Sequence, residues 1–473
     1  MRQKYNGTYP SKNLLDGQVQ YADRRHLLTD RTRSSFMTRS GKVLPEQIFY
    51  FKFAGTLTST FMQNDDFKVY GYRWVMLGVY MFITAVNQML WITFAPITSD
   101  ATQFYGVSDL KIGILSMCFM VVYLIVSIPA SYFIDTYGIR AGVGVGVAFT
   151  GIFGLLRGLV PSSYTMILVS QIGIAIGQPF ILNAITKVAA RWFPIKERAT
   201  ASGLGTLAMY LGILIAMILT PFLVNWAGID GMLTTYGVVS AVAAVVFFVL
   251  AKERPLTPPC HSYQEERALA IDGLKLIFRK KDFNWLMFIF FIGLGVFNAV
   301  TTWIENIVYP RGFSSEQAGI TGGLMIVGGL IGAVVIPMLS DHYKRRIPFI
   351  IFALGGATIS LAGLTFATEY WLLLVSGGAF GFFLLSSGPI GFQYGAEVTY
   401  PVSEGTSNGF LLLMGQISGI AFIFGMDSFK SAQTGSMTKP LILMISLMVL
   451  SFLATLRLKE SSFLRRAAED SSN

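Results

Sequence analysis

Histidine and cysteine are almost missing from this chain, with three of the former and two of the latter in 473 residues. Cys118 falls in an apolar run and Cys260 in a polar stretch, a pair that supplies neither a disulfide framework nor a thiolate metal site. His26, His261 and His342 all lie between apolar runs rather than within them, so no imidazole is placed to ligate a haem iron along an apolar path, and no metal site is expected. No glycine-rich loop ends in Lys-Ser or Lys-Thr, which excludes the phosphate cradle of an ATP-driven pump. Nor does any nucleophile–base set lie within the apolar runs, so neither an enzyme nor a cofactor is expected. Charge is scarce as well: 13% of residues are Asp, Glu, Lys or Arg, against 53% hydrophobic. With a mean hydropathy of +0.57, the chain has too little polar surface to be an ordinary soluble protein and reads as an integral membrane protein embedded in a lipid bilayer. The net charge of +10 is spread over the segments between apolar runs and not gathered on one face, which excludes a nucleic-acid partner.

What is abundant is apolar sequence in runs of about 20 residues, the length that crosses roughly 30 Å of hydrocarbon. Such runs fall near 74–98, 109–132, 139–160, 164–188, 201–225 and 232–251, then near 283–308, 316–339, 347–367, 371–394, 408–426 and 439–457. The expected fold is therefore all-α, with twelve transmembrane helices in two six-helix halves, residues 70–251 and 283–458. Between them lies a Pro-rich and basic linker, 252–282, whose amphipathic part can lie along the membrane surface. All but five of the 36 basic residues (Lys111, Arg157, Arg311, Lys430 and Lys439) then fall in the two tails and the even-to-odd loops. The positive-inside rule places both termini, tails 1–69 and 459–473, in the cytoplasm. The first tail has no apolar core fit for a signal peptide and reads as largely disordered, so the first helix itself must direct insertion.

The halves repeat. DTYGIR (135–140) follows the second helix and DHYKRR (341–346) the eighth, at an offset of 206, and ERATASG (197–203) and EGTSNG (404–409) keep nearly the same offset. Duplicated six-helix halves are the architecture of major facilitator transporters, which rock around a site near the midplane. Asp135 and Arg140, with Asp341 and Arg345 or Arg346, are expected as gating charges that pair across the closed interface between the halves and part as it opens. The glycine-rich stretches 142–154 and 319–332 read as close-packing helix faces. Pro96, Pro179, Pro221, Pro337 and Pro389 mark kinks or helix ends.

Polar residues at membrane depth point to a cavity or to a partner helix. Asn87 and Trp91 are four apart on the first helix and share a face. Trp91 lies well inside its run, where an interfacial aromatic belt does not reach. Gln171 and Gln178 share a face of the fourth helix, Asn298, Thr302 and Glu305 one of the seventh, and Gln416 lies in the eleventh. Glu305 is open to three roles: a proton acceptor, a counter-ion for a cationic substrate, or a partner for an arginine such as Arg157.

The segments YGYRW (70–74), VNQMLW (86–91), FYGV (104–107), FIDTYGIR (133–140), GQPFILNAITKVAARWFPIKERATA (177–201), GFQYGAEVTYPVSEGTSNG (391–409) and GQISGI (415–420) resemble, in order and spacing, the feline leukaemia virus subgroup C receptor-related (FLVCR-like) branch of the major facilitator superfamily, from about Tyr70 to Leu458. The resemblance implies facilitated movement of a small organic solute. Choline and ethanolamine are substrates of the best-understood branches, and haem has long been proposed. In the choline carriers a Trp of helix one and a Tyr of helix seven box the ammonium beside glutamines of helices four and eleven. Trp91, Gln178 and Gln416 match three of these positions, but Asn298 stands where the tyrosine would be and Glu305 where those carriers have a neutral amide. One ring contributes about 0.5 to 2 kcal/mol to holding an ammonium, so losing one of two weakens the site and can change its ligand.

The departure points toward the less characterised branches, one of them lysosomal with an acidic dileucine sorting signal. DRRHLL, with Asp23, Leu27 and Leu28, has that form. The expectation is a monomeric secondary transporter of a choline- or ethanolamine-like cation or another amine-bearing metabolite, in the plasma membrane or in a lysosomal or endosomal membrane. The alternatives are haem as the cargo, and a receptor or sensor that binds a solute without moving it.

Overall fold

The structure, a computed structural model, describes residues 69–257, 277–400, 402 and 404–460. The first-tail residues Asp23, Leu27 and Leu28 and most of the linker lie outside them. Among the described residues every regular element is helical. Eleven stretches are long and apolar enough to cross a membrane, and one of them, Lys196–Leu250, breaks at Gly228, whose φ of 72° takes it out of the helix. That break makes two spans of one, and twelve among the described residues. They are α1 (Tyr72–Ile92), α2 (Asp109–Tyr137), α3 (Ile139–Leu159), α4 (Tyr164–Leu182), α5 (195–227) and α6 (229–250), then α7 (Lys281–Thr302), α8 (Ser315–His342), α9 (Ile347–Phe366), α10 (Tyr370–Thr399), α11 (Glu404–Ser428) and α12 (Thr438–Thr455). The end of the bundle where α1 begins and α12 finishes is called basal below, and the other distal.

Two spans stop early. α1 ends at Ile92, a one-turn 3-10 segment at Ala95–Ile97 carries Pro96, and a second helix, Thr98–Tyr105, continues distally. Pro96 has no N–H to extend the first ladder. α7 likewise ends at Thr302 and resumes after Trp303 as Ile304–Val308. Pro179, Pro221, Pro337 and Pro389 sit inside α4, α5, α8 and α10.

The glycine faces are contact faces. A Cβ on Gly146 of α3 would lie 2.6 Å from the Gly177 carbonyl of α4, and one on Gly177 2.6 Å from the Gly146 carbonyl, so the two backbones approach as closely as glycine allows.

Each half fastens its own basal end in the same way. The Glu253 carboxylate, just past α6, accepts the N–H groups of Ile139 (3.1 Å) and Arg140 (2.6 Å) at the start of α3. Glu460, just past α12, accepts those of Arg346 (3.0 Å) and Ile347 (3.0 Å) at the start of α9. A carboxylate at a helix N-terminus satisfies donors the helix cannot and meets the positive end of its dipole.

Candidate functional site

The bond pattern at the break in α1 follows from its stranded carbonyls. The Arg157 guanidinium donates to Leu90 O (3.2 Å), Gln171 Oε1 (2.9 Å) and Thr93 Oγ1 (3.4 Å). Gln171 Nε2 donates to Leu90 O (3.4 Å) and to Leu115 O of α2 (3.1 Å). A buried cation at the C-terminal end of a helix is favoured by the dipole, and the partners of the fully enclosed Arg157 are that helix end and Gln171 rather than a carboxylate. The Arg157–Glu305 pairing left open by the sequence is not formed.

Trp91 sits between these anchors. Its indole N–H donates to Ser116 O of α2 (3.0 Å), and Ser116 Oγ lies 3.4 Å from Trp91 O. Both ends of the residue are therefore pinned to α2, and 8% of its surface stays accessible. One turn along α2 from Ser116, Met120 meets α11: a Cβ on Gly419 would fall 2.7 Å from Met120 Sδ and 2.9 Å from Asn298 Nδ2 of α7. Asn298 donates to Gly415 O (3.2 Å), the residue before Gln416. The same stretch of α2 thus carries Trp91 from one half and lies against Gly419 of the other, which Asn298 also flanks.

The remaining amides divide in two. Asn87 has no accessible surface; its Nδ2 donates to Thr150 Oγ1 of α3 (3.1 Å) and its Oδ1 accepts from Gln88 (3.3 Å). It shares a helix face with Trp91 but ties α1 to α3 and presents nothing to a cavity in this conformation. Asn183 similarly ties α4 to α2 through Tyr123 (2.8 Å) and Ser131 (3.0 Å). Gln178 and Gln416 retain accessible surface, and neither amide bonds to a described residue.

The charged motifs at the basal end pair inside their own halves. Asp135 bonds Lys187 (2.9 Å), and Arg191 pairs with Glu253. Arg346 pairs with Asp341 and with Glu397 (3.3 Å). The side chains of Arg140 and Arg345 are exposed. Glu253, Glu397 and Glu460 were not singled out from the sequence, although Lys252-Glu253 and Lys459-Glu460 stand at an offset of 207, at the ends of the sixth and twelfth helices.

The distal end is shut by bonds between the halves. Ser99 N–H donates to Glu305 Oε2 (2.7 Å), Asn306 Nδ2 to Asp109 Oδ2 (3.0 Å) and Asn225 Nδ2 to Glu316 Oε1 (2.5 Å), and Lys430 pairs with Asp109. Ser315 Oγ lies 3.1 Å from Asp100 Oδ2 and 3.2 Å from Glu305 Oε1. Beneath them the fully buried Trp303 ring covers Gly113 of α2, and its N–H bonds Ile423 O (3.1 Å).

An arrangement of two six-helix halves, closed at one end around a shared polar and aromatic centre, suits carriage of a solute between two sides of a membrane. Comparison with known proteins agrees. Residues 79–423 match the Major Facilitator Superfamily. Solute carrier family 49 member A3 of Xenopus tropicalis is 31% identical over 377 residues, covering 76% of this chain and 78% of that one. The human choline/ethanolamine transporter FLVCR2 is 27% identical over 379 residues, covering 75% of this chain and 71% of that one. Among solved structures, an inward-facing bacterial homolog of the human lysosomal transporter Spinster superposes with a TM-score of 0.68 at 16% identity, covering 82% of this chain and 98% of that chain, which bears on the fold alone. The chain belongs to the major facilitator superfamily, in its FLVCR-related branch, and is a multi-pass membrane transporter.

Proposed function

We propose that this transporter carries a small amine-bearing organic solute of the choline or ethanolamine kind by alternating access, with Trp91 as its aromatic platform. The observation that carries the reading is the pinned indole. Its N–H is held by Ser116 O at 3.0 Å, which fixes the orientation of the ring. A ring held in place attracts an ammonium by about 0.5 to 2 kcal/mol without first losing rotamer freedom. Gln178 and Gln416, with amides that bond to no described residue, can accept from the N–H or O–H groups of such a solute. Asn298 supplies a polar wall where the better-known carriers resembled here have a second ring. The choline/ethanolamine transporters among the relatives favour the same substrate class. In this reading the carrier is a monomer, both termini face the cytoplasm, and the basal charges of Asp135, Arg140, Asp341, Arg345 and Arg346 exchange partners as the halves rock.

Thermal shift on the purified protein with choline, ethanolamine, haem and vitamin-like amines tests the substrate class. An amine should raise the melting temperature of the wild type and not that of Trp91→Ala. Stabilisation by haem alone, or equal stabilisation of both proteins by the amine, would contradict the assignment.

A further inference from the structure

The distal closure holds an imbalance of protons. Ser315 Oγ stands within hydrogen-bond distance of two carboxylate oxygens, Asp100 Oδ2 at 3.1 Å and Glu305 Oε1 at 3.2 Å. A serine hydroxyl has one proton. With both carboxyl groups ionised it can donate to one of them, and the other must then press its lone pairs against the hydroxyl oxygen. One further proton, on Glu305, resolves the conflict: Glu305 donates to Ser315 Oγ and Ser315 donates to Asp100.

A second observation points the same way. Glu305 is fully enclosed, and among the described residues no cation pairs with it or with Asp100. Its bonds come from neutral donors, Ser99 N–H at 2.7 Å and the shared Ser315 hydroxyl, so no positive charge offsets the cost of burying it ionised.

The charged and titratable groups on each packed element leave the pair isolated. The helix Thr98–Tyr105 brings Asp100 and Tyr105, and the phenol of Tyr105 donates to Pro161 O (2.8 Å). On α8, Glu316 accepts from Asn225, while Asp341 and His342 lie at the basal end. In the turn Tyr309–Arg311, Tyr309 is exposed and Arg311 donates to the carbonyls of Leu364 (2.7 Å) and Thr365 (2.8 Å). Lys281 and Asp282 of α7 are basal. The neighbouring Asn306 is turned to Asp109, which has its own cation in Lys430.

We propose that the Asp100–Ser315–Glu305 link is a proton-operated latch: the distal gate closes by taking up one proton on Glu305, and opening returns it to the distal solution. Asp100 belongs to the first half, Glu305 and Ser315 to the second, so the site exists only when the halves meet. Because the closed state binds one proton more than the open state, linkage makes closure stronger as the distal pH falls. The closed-to-open ratio changes by up to tenfold per pH unit while Glu305 is ionised in the open state. The latch rests on the alternating-access reading proposed above.

The test follows gate position, with no substrate present. A reporter cysteine at Ala101, which is fully buried at the distal end, is placed in a background where Cys118 and Cys260 are serine, and its labelling by a membrane-impermeant thiol reagent is followed from pH 5 to pH 8. Rates are normalised to the intrinsic thiolate fraction, taken from the same protein unfolded in detergent. Protection should rise as pH falls in the wild-type latch. Glu305→Gln, whose amide supplies the donor without a titrating proton, should be protected throughout with no pH slope, and Asp100→Asn should behave likewise. Ser315→Ala should lose most of the slope, while Glu316→Gln, outside the latch, should keep it. A wild-type slope in Glu305→Gln and Asp100→Asn, or none in the parent, would overturn the latch. A flat gate together with Trp91-dependent amine binding rejects the latch alone. A sloped gate without such binding rejects the substrate assignment alone.

Discussion

Distal closure is read most directly at Gly113. A Cβ placed there would lie 2.7 Å from Cη2 and 2.9 Å from Cζ2 of Trp303, closer than real contacts allow. Trp303 has no room to yield, being fully buried with its indole N–H held on Ile423 O at 3.1 Å. Gly113→Ala therefore forces overpacking that costs about 1 to 3 kcal/mol, and the cost falls on the closed distal gate because Gly113 and Trp303 belong to opposite halves. That difference shifts the closed-to-open ratio by roughly 5- to 150-fold toward the distally open state. Labelling of the Ala101→Cys reporter should speed up correspondingly at fixed pH, with little change in melting temperature if the open state is itself stable. A labelling rate equal to that of the parent would show that the halves do not close on this contact and would refute the reasoning.

Two further perturbations address the framework around the site. Arg157→Met removes the donor of Gln171 Oε1 and one of the two donors of Leu90 O, and a buried polar group left without its partner costs about 1 to 3 kcal/mol. A lower melting temperature and weaker Trp91-dependent binding should follow, both partly kept by Arg157→Lys, and wild-type values for Arg157→Met would remove Arg157 from the account of the α1 break. Glu253→Ala and Glu460→Ala each strip two helix-start N–H groups of their acceptor, and each should lower the melting temperature by a similar amount, from a loss of about 0.3 to 2 kcal/mol per helix. A loss in one half only would break the pseudo-symmetry.

The spans were legible because apolar runs and the polar breaks between them are set by the bilayer, and the duplication showed in Asp135 and Asp341. The split of the 195–250 helix into α5 and α6 also follows the expected runs 201–225 and 232–251, since Gly228 falls between them. What the sequence could not supply was the partner of each polar group. Helical spacing places Asn87 and Trp91 on one face, yet α3 reaches Asn87 through Thr150 while α2 takes Trp91, and only the packing distinguishes a tie from a lining residue. Charge complementarity suggested Arg157 for Glu305, but Arg157 is engaged by α1 carbonyls and Gln171, and Glu305 by Ser99 and Ser315. Ser116, Met120 and Trp303 carried no signal of their own, since serine, methionine and tryptophan within apolar runs are ordinary core residues. Glu253 and Glu460 did carry one, a repeated Lys-Glu at the helix ends.

The central claim is that an amine is carried past Trp91 by halves that open alternately. Counterflow in proteoliposomes tests it without any driving ion. With unlabelled choline or ethanolamine inside and a trace of labelled solute outside, the wild type should accumulate label transiently above equilibrium, Trp91→Phe should do so with reduced apparent affinity, and Trp91→Ala should not do so at all. Binding of the solute without counterflow, or counterflow unchanged in Trp91→Ala, would contradict it.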